Sequence, residues 1–315
     1  MCGIAGLYLK TSALESQLGA LFQPMLLSMG DRGPDSAGFA IYRDPVAAGQ
    51  LKFTIQDAAV TADADPAWLA ELRDAFDEPM GCTRHAGALA LSTAVAEPLL
   101  RHWLAEHAPD ALLMSVGRSI EILKDVGHPR AVADRFGLHG MHGTHIIGHT
   151  RMATESAVSL AGSHPFSTGH DLCLVHNGSL SNHNQVRRRL LREGIQFDTS
   201  NDSEVAAGYL TSRLRAGDSL TEALQHALDD LDGFFTFTVG TRNGFAVLRD
   251  PIACKPAVLA ETDQWVAMAS EYRALAGLPG INNAQVWEPE PAIVYAWESQ
   301  TATTAISADA AEVQA

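Results

Sequence analysis

The spacing of hydrophobic and polar positions along this chain predicts both helices and strands. Apolar residues separated by three and four positions predict a helix over 13–29. Further helices are predicted over 182–193, from about 199 onward, and from Ser219, where Glu222 completes a capping box. Alternating or short apolar runs predict strands at 4–9, 39–42, 144–150, 172–175, 235–239, 245–248, 257–260, 265–269 and 292–295.

The order of these elements indicates the fold class. Helices follow one another and strands follow one another in hairpins, with Asn243-Gly244 as one predicted turn. This order favours an α+β fold, in which helices pack on antiparallel sheets, over a parallel doubly wound sheet. The pattern loosens over 43–143, which we interpret as an insertion in a domain spanning 1–300. The alanine-, threonine- and serine-rich residues 301–315 are predicted to form a frayed tail.

Composition and charge narrow the functional classes. The 315 residues are 46% hydrophobic, enough for one large core. The chain has 37 acidic against 22 lysine and arginine residues, and its net charge of −15 repels nucleic acids and anionic membranes, so neither is expected as a partner. No apolar run reaches the ~18 residues of a membrane span, and Lys10 interrupts the apolar N-terminal stretch. We therefore expect no membrane span or secretory signal, and a cytoplasmic location.

Clusters of metal ligands or paired cysteines are not evident. The cysteines are scattered without a CxxC pair, which argues against a zinc knuckle or a disulfide framework. A histidine-rich run does raise the possibility of a metal site, but its spacing matches no helical HExxH motif and no carboxylate lies within it. We therefore predict no metal. The residues concerned are Cys2, Cys82, Cys173 and Cys254, and His139, His142, His145 and His149.

Cys2 is a candidate nucleophile. Once Met1 is trimmed, Cys2 would carry both a thiol and a free α-amine. The thiolate is the reactive form, and an α-amine with an ordinary pKa near about 7.7–8.0 can remove the thiol proton. One residue would then supply nucleophile and base. Taken by itself, a cysteine at this position is more often buried or incidental.

Charged residues in two loops are candidates for binding a substrate. Arg32 and Asp35 lie in a glycine- and proline-containing loop, where they either contact a substrate or brace the loop by pairing with each other. Arg151 follows a predicted strand, and an arginine at a strand end can bind a carboxylate.

The dipeptide Asn177-Gly178 also lies at the end of a predicted strand. A side-chain amide beside an unobstructed backbone N–H supplies the two donors of an oxyanion hole, although Asn-Gly on its own more often marks a plain turn. Asp202 opens a predicted helix, and its simplest role is to cap that helix.

Together these segments resemble the class II glutamine amidotransferases, a group of N-terminal nucleophile hydrolases. The resemblance is carried by short motifs in family order, whereas 43–143 contains none of them. The motifs are Cys2-Gly3-Ile4, Arg32-Gly33-Pro34-Asp35-Ser36-Ala37-Gly38, Gly148-His149-Thr150-Arg151, His176-Asn177-Gly178, Asn201-Asp202-Ser203-Glu204, Arg249-Asp250-Pro251, Lys255-Pro256 and Ala269-Ser270-Glu271.

The resemblance implies a four-layer αββα sandwich and assigns roles to the candidate residues. Cys2 would attack the side-chain amide of glutamine, with Asn177 and the Gly178 N–H holding the oxyanion. Arg151 would bind the α-carboxylate of glutamine and Asp202 its α-amino group. Three further residues are expected to line or support the glutamine site: Arg32, Thr154 and His164.

The amino-acid sequences of segments 14–21 and 150–156 are similar to the amidotransferase subunit of N-methylglutamate synthase, which is related to the N-terminal domain of glutamate synthase. This similarity implies a stand-alone glutaminase subunit whose glutamate-synthase-like partner subunits carry flavin and iron–sulfur centres, with no cofactor in this chain. The alternative is a non-catalytic subunit that senses glutamine or glutamate. A different amide substrate is disfavoured, because Arg151 and Asp202 suit an α-amino acid.

Overall fold

The computed structural model describes residues 2–61, 63–153 and 158–298. The strands in these ranges are short and mostly buried, as the alternating pattern predicts. In chain order they are β1 Gly3–Leu9, β2 Ser36–Tyr42, β3 Leu51–Gln56, β4 Gly81–His85, β5 Ala88–Thr93, β6 Leu112–Gly117, β7 Ile120–Val126, β8 His145–Arg151, β9 Cys173–Leu180, β10 Gly233–Thr241, β11 Gly244–Arg249, β12 Val258–Glu261, β13 Trp265–Ala269, β14 Gln285–Trp287 and β15 Val294–Glu298.

The helices are α1 Leu18–Ser28, α2 Ala67–Ala75, α3 Glu97–His107, α4 Pro129–Phe136, α5 His183–Arg192, α6 Asp202–Arg215 and α7 Leu220–Asp230. Short 3₁₀ helices occur at Ser12–Gln17, Leu138–Gly140, Tyr272–Ala274 and Ile281–Asn283. None of the helices in the described ranges is long and apolar enough to cross a membrane.

Two of the predicted helix starts differ in detail from the structure. The helix predicted over 13–29 is a 3₁₀ helix up to Gln17 and an α-helix only from Leu18, because none of the residues in Ser12–Gln17 is buried by packing. Asn182 does precede α5, but its side chain makes no cap and instead bonds the backbone of Asp230 and Asp232. The capping box of Ser219 with α7 forms as predicted.

Two antiparallel sheets form the main body. The larger has the strand order β14-β12-β13-β1-β8-β2-β7, and the smaller has the order β15-β11-β10-β9. β1 lies centrally, between β13 and β8, so its N-terminal end is fixed on both sides. The hairpins predicted around Asn243-Gly244 and between 257–260 and 265–269 both form.

Hydrophobic packing arranges these sheets and the helices in four layers. Phe22 of α1 and Phe136 of α4 are buried on the outer face of the larger sheet. Ile147 of β8 and Val175 of β9 belong to the core between the sheets. Tyr209 of α6 is packed with α5 and α7 on the outer face of the smaller sheet. The αββα architecture expected for the chain is therefore confirmed, with antiparallel sheets throughout the described pairings.

The range 43–143 contains a third sheet with the order β4-β5-β3-β6. This sheet and the helices α2 and α3 enclose their own core, which includes Trp68 and Trp103. The third sheet and its helices occupy fewer residues than the predicted insertion. β7 pairs with β2 in the larger sheet, and α4 packs on that sheet. The residues from Ile120 onward thus belong to the main body.

Candidate active site

Cys2 lies directly before β1 of the larger sheet and contacts Asn177 on β9 of the smaller sheet. Its approach depends on Gly3: a Cβ at this position would lie 2.7 Å from Cβ of Met29 and 2.9 Å from Oγ1 of Thr150. Only glycine lets the start of β1 pass this close to the end of α1 and to β8. The β1–β8 register then pairs Gly3 with Thr150, which places Arg151 one residue further along.

The Cys2 thiol has a lowered pKa. Burial raises the pKa of a thiol, but hydrogen bonding and charge interaction with His149, together with the backbone oxygen of Met152, outweigh burial. The net effect lowers the pKa of Cys2 from 9.0 to about 7. Its Sγ lies 3.9 Å from the Met152 oxygen. A substantial fraction of the sulfur is therefore thiolate at neutral pH, as a nucleophile requires.

Asn177 reaches this cysteine from the opposite sheet. Its Nδ2 lies 3.3 Å from the carbonyl oxygen of Cys2 and 3.4 Å from Oγ of Ser270. Ser270 is fixed in turn, because its Oγ accepts a hydrogen bond from the N–H of Ile4 and its own N–H donates to the Ile4 oxygen, each at 2.9 Å. The amide that is predicted to hold the oxyanion is thus positioned beside the nucleophile.

Gly178 has a backbone that other residues tolerate poorly. Its φ is +148°, and a Cβ there would lie 1.9 Å from the carbonyl oxygen of Phe234 on β10. The glycine lets β9 lie flush against β10 immediately after Asn177, where Phe235 pairs with Gly178. Its assignment as an oxyanion donor stays a prediction.

Arg32 anchors the backbone of the nucleophile. Its Nε donates to the Cys2 carbonyl oxygen at 3.0 Å, and its Nη1 forms a 2.6 Å ion pair with Glu271. Asp35 accepts a hydrogen bond from the Ala153 N–H at 2.8 Å. The described contacts therefore brace this loop through separate partners, and not through the Arg32–Asp35 pair considered from the sequence.

Arg151 and Asp202 lie on different layers, at the end of β8 and the start of α6. Asn201 caps α6 by accepting from the N–H of Ser203, so the alternative that Asp202 is the cap is wrong. Oδ2 of Asp202 instead accepts from the Leu180 N–H at 2.9 Å, and Oδ1 lies 4.0 Å from Nδ1 of His176. Asp202 therefore borders the strand that carries Asn177.

His164 is buried behind the site. Its ring stacks on His149 with centroids 4.0 Å apart, and among the described residues neither ring nitrogen has a hydrogen-bond partner. Burial, and then the neighbouring positive groups, push the pKa of His164 well below its ordinary value. Its predicted role in the glutamine pocket stays a prediction. Thr154 lies outside the described residues.

Two contributors to the site were not identified as such from the sequence: His149 and Ser270. His149 belongs to the histidine-rich run and to the motif Gly148-His149-Thr150-Arg151, but neither assigns it a role, and its Nε2 lies 3.0 Å from Oδ1 of Asn177. Ser270 belongs to a quoted family motif, which was the only available signal. The histidines of the run diverge, since the His145 ring contacts the Thr241 carbonyl oxygen instead. Within the described ranges, no group of three or more histidine, cysteine or carboxylate side chains could hold a metal ion.

The described contacts bring an activated thiol, the Asn177 amide donor and the Arg32 guanidinium together at the start of β1, while the Asp202 carboxylate borders β9. A thiolate beside an amide donor can attack a carbonyl and stabilise the resulting oxyanion.

Comparison with known proteins agrees with this geometry. A glutamine amidotransferase domain matches residues 149–277. The glutamine amidotransferase-like protein GlxB of Rhizobium meliloti (strain 1021) is 56% identical over 303 residues, covering 96% of this chain and 100% of the relative. A putative glutamine amidotransferase of Methanothermobacter thermautotrophicus is 34% identical over 312 residues, covering 94% of this chain and 99% of the relative.

A solved structure shows the same fold. The glutamine phosphoribosylpyrophosphate amidotransferase from B. subtilis, complexed with ADP and GMP, aligns with a TM-score of 0.59 at 19% identity. The alignment covers 95% of this chain and 47% of that one. Its full-length relatives show that the chain belongs to the glutamine amidotransferases.

Proposed function

We propose that this chain hydrolyses glutamine to glutamate and ammonia through a thioester on Cys2, as the glutaminase subunit of a larger synthase. The observation that carries the proposal is the meeting of Cys2 and Asn177. A thiol whose pKa is lowered to about 7 lies beside a side-chain amide donor. Cys2 directly precedes β1 of the larger sheet, whereas Asn177 lies on β9 of the smaller sheet.

The reaction balances without a cofactor. The α-amine of Cys2, once Met1 is removed, takes the thiol proton, and the sulfur forms a bond to the side-chain carbonyl carbon of glutamine. Asn177 and the Gly178 N–H stabilise the oxyanion. The C–N bond then breaks, and the amine returns the proton to the leaving nitrogen as ammonia. Water attacks the thioester, giving its hydroxyl to the acyl carbon and its proton to the sulfur, so glutamate and free Cys2 result.

The charged residues supply selectivity for an α-amino acid. We assign the α-carboxylate of glutamine to Arg151 and its α-ammonium to Asp202, because these opposite charges lie at the end of β8 and the start of α6. Arg32 supports the site by holding the Cys2 carbonyl oxygen. Thr154 and His164 are assigned to the lining of the same pocket.

The synthase proposed for this subunit is N-methylglutamate synthase or a related glutamate-synthase-like complex. The similarity of segments 14–21 and 150–156 supports this assignment. The alignment with GlxB covers the full length of that protein. Partner subunits would carry the flavin and iron–sulfur centres. Purification of the tagged chain from its native cells tests the complex, because the bound partners should bring a flavin absorption spectrum. A chain that purifies alone under mild conditions contradicts it.

Intact mass spectrometry with a glutamine-analogue electrophile tests the glutaminase. The purified chain should lack the mass of methionine and gain one adduct of 6-diazo-5-oxo-norleucine, and the adduct should be lost in Cys2→Ala. The variant should keep the circular dichroism of the wild type but hydrolyse no glutamine. Retention of Met1 with no adduct would instead favour the non-catalytic glutamine-sensing subunit.

A further inference from the structure

His149 makes a directed contact across the interior of the sandwich. It lies on β8, where it is 1% exposed, and its register partners are Ile4 of β1 and Gly38 of β2. Its Nε2 lies 3.0 Å from Oδ1 of Asn177 on β9. Because an amide oxygen can only accept a hydrogen bond, Nε2 of His149 must be the donor.

The orientation of the Asn177 amide follows from its other contacts. Its Nδ2 faces two groups, the Cys2 carbonyl oxygen, which can only accept a hydrogen bond, and Oγ of Ser270. Rotating the amide by a half-turn would bring two carbonyl oxygens together and place the NH₂ group against the donor of His149. The contact with His149 therefore holds the amide with its N–H groups directed toward Cys2.

The same imidazole also acts on the nucleophile. Interaction with His149 is the largest influence that lowers the pKa of the Cys2 thiol, and it opposes burial. The plane of the His149 ring is fixed by His164, which stacks on it with an interplanar angle of 29°. One ring thus contacts the two groups that the proposed mechanism needs together.

Two buried histidines beside His149 are uncharged at neutral pH. The groups that face it from neighbouring elements are Cys2, His164 and His176, beside Arg151 on its own strand. Burial keeps the pKa of His164 well below its ordinary value. Burial lowers the pKa of His176 to about 4, despite the opposing effect of Asp202. Neither His164 nor His176 therefore places a positive charge beside the Cys2 thiol at neutral pH.

We propose that His149 is a positioning residue that joins nucleophile and oxyanion hole, by donating from Nε2 to Asn177 while its ring contacts the Cys2 thiol. The expected effect of His149 on kcat rests on the proposed glutaminase function, whereas its effect on the reactivity of the Cys2 thiol can be measured without turnover. Failure of the proposed function is therefore distinguishable from failure of this proposal.

Two variants at position 149 separate these contacts. His149→Leu removes both, whereas His149→Gln keeps an N–H donor for Asn177 but removes the imidazole ring that contacts the thiol. Loss of one oxyanion donor costs on the order of 100-fold in kcat. In His149→Leu the Asn177 amide stays but is no longer held in its orientation, so kcat should fall about tenfold or more with KM for glutamine little changed. His149→Gln should recover much of that kcat. Circular dichroism confirms folding of each variant.

The second measurement is the rate of Cys2 alkylation by iodoacetamide as a function of pH, followed by peptide mass spectrometry. Its midpoint should lie near pH 7 in the wild type and move upward by about one unit in both variants, toward the ordinary thiol value near about 8.5. His145→Gln is the matched control, since His145 is buried on the same strand and bonds the Thr241 carbonyl oxygen. Its alkylation midpoint should match the wild type.

The two readouts decide the proposal together. It is overturned if folded His149→Leu keeps both the wild-type kcat and the wild-type alkylation midpoint. It is also overturned if His149→Gln is as slow as His149→Leu, because the donor would then not matter. The wild type could hydrolyse no glutamine while the alkylation midpoint still differs between wild type and variants. That result would support the contact between His149 and the thiol and reject the proposed glutaminase.

Discussion

The side-chain amide nitrogen of Asn177 lies 3.3 Å from the carbonyl oxygen of Cys2, although 175 positions separate the two residues. Arg32 donates to the same oxygen at 3.0 Å. The start of β1 is therefore held by donors from β9 and from the loop before β2. Because the donors are in place before any substrate binds, little reorganisation is needed when an oxyanion forms.

Removing the Asn177 amide should slow catalysis without greatly changing substrate affinity. Asn177→Ala should lower kcat by about 100-fold or more with a modest change in KM, because the oxyanion exists only in the transition state and intermediate. Steady-state glutaminase kinetics measure this effect. Asn182→Ala is the control, since the Asn182 side chain bonds the backbone of Asp230 and Asp232. Equal losses in the two variants would contradict the assigned role.

The pH dependence of thiol reactivity should distinguish two of the cysteines. The thiolate is the form that reacts, so the alkylation rate of Cys2 should rise with pH and reach half its maximum near pH 7. Burial raises the pKa of the Cys173 thiol to about 11, and the residue is fully buried, so it should stay unmodified at pH 8. Peptide mass spectrometry after timed iodoacetamide labelling measures both rates. A Cys2 midpoint near pH 9 would show that the thiol is not activated.

Much of this site was predictable because the relevant signals are local. A cysteine at position 2, an Asn-Gly pair after a strand and an arginine at a strand end can each be recognised within a few residues. The alternating patterns also located β10, β11 and β13 well, since each strand buries its own residues.

What sequence reasoning missed depends on contacts between layers. The role of His149 exists only because β8 of one sheet faces β9 of the other, and no spacing along the chain encodes that distance. The sequence interpretation includes 120–126 in the insertion, because the pattern of apolar residues does not indicate which strand this segment pairs with. In the structure the segment pairs with β2 and therefore belongs to the larger sheet.

Asp202→Asn should weaken glutamine binding more than it slows turnover. The variant keeps an oxygen acceptor for the Leu180 N–H but loses the charge assigned to the α-ammonium. A hydrogen bond to a charged group contributes about 1.5–3 kcal/mol, so KM for glutamine should rise about tenfold or more with kcat nearly unchanged. Glutaramic acid, which is glutamine without its α-amine, is the matched substrate. Its KM should be the same in wild type and variant, and an equal rise for both substrates would remove Asp202 from that role.

Gly178→Ala should destabilise the fold as well as the site. An alanine at φ +148° is strained, at a cost on the order of 1–3 kcal/mol, and its Cβ would overlap the Phe234 carbonyl oxygen. Chemical denaturation should therefore show a lower free energy of unfolding. Gly277→Ala is the control, because a Cβ there meets nothing within 4 Å, and its effect should lie within about 0.5 kcal/mol. Equal stability of the two variants would contradict the close approach of β9 and β10.

A buried ion cluster should couple the third sheet to the main body and make stability depend on pH. Glu121 of β7 is 2% exposed and lies 3.0 Å from Lys52 of β3, 3.2 Å from His85 of β4 and 3.6 Å from Arg43. Burial raises the pKa of Glu121, but the hydrogen bond from His85 and the nearby cations outweigh burial and lower the pKa to about 2. The carboxylate is thus bound in its charged form.

The sign of the pH effect follows from that direction. Because the folded pKa lies below the unfolded value near about 4.3, Glu121 contributes stability that is fully present above the unfolded pKa and is lost as pH falls toward 2. Glu121→Gln should cost about 3–5 kcal/mol at pH 7, since it leaves buried cations without their partner. Denaturation at pH 7 and pH 3 should show a smaller difference between variant and wild type at the lower pH. Asp65→Asn is the control for an exposed ion pair and should change neither midpoint, because solvent screens its contacts with Arg73 and Arg84. If both variants unfold like the wild type at pH 7, the third sheet is held by its apolar contacts alone.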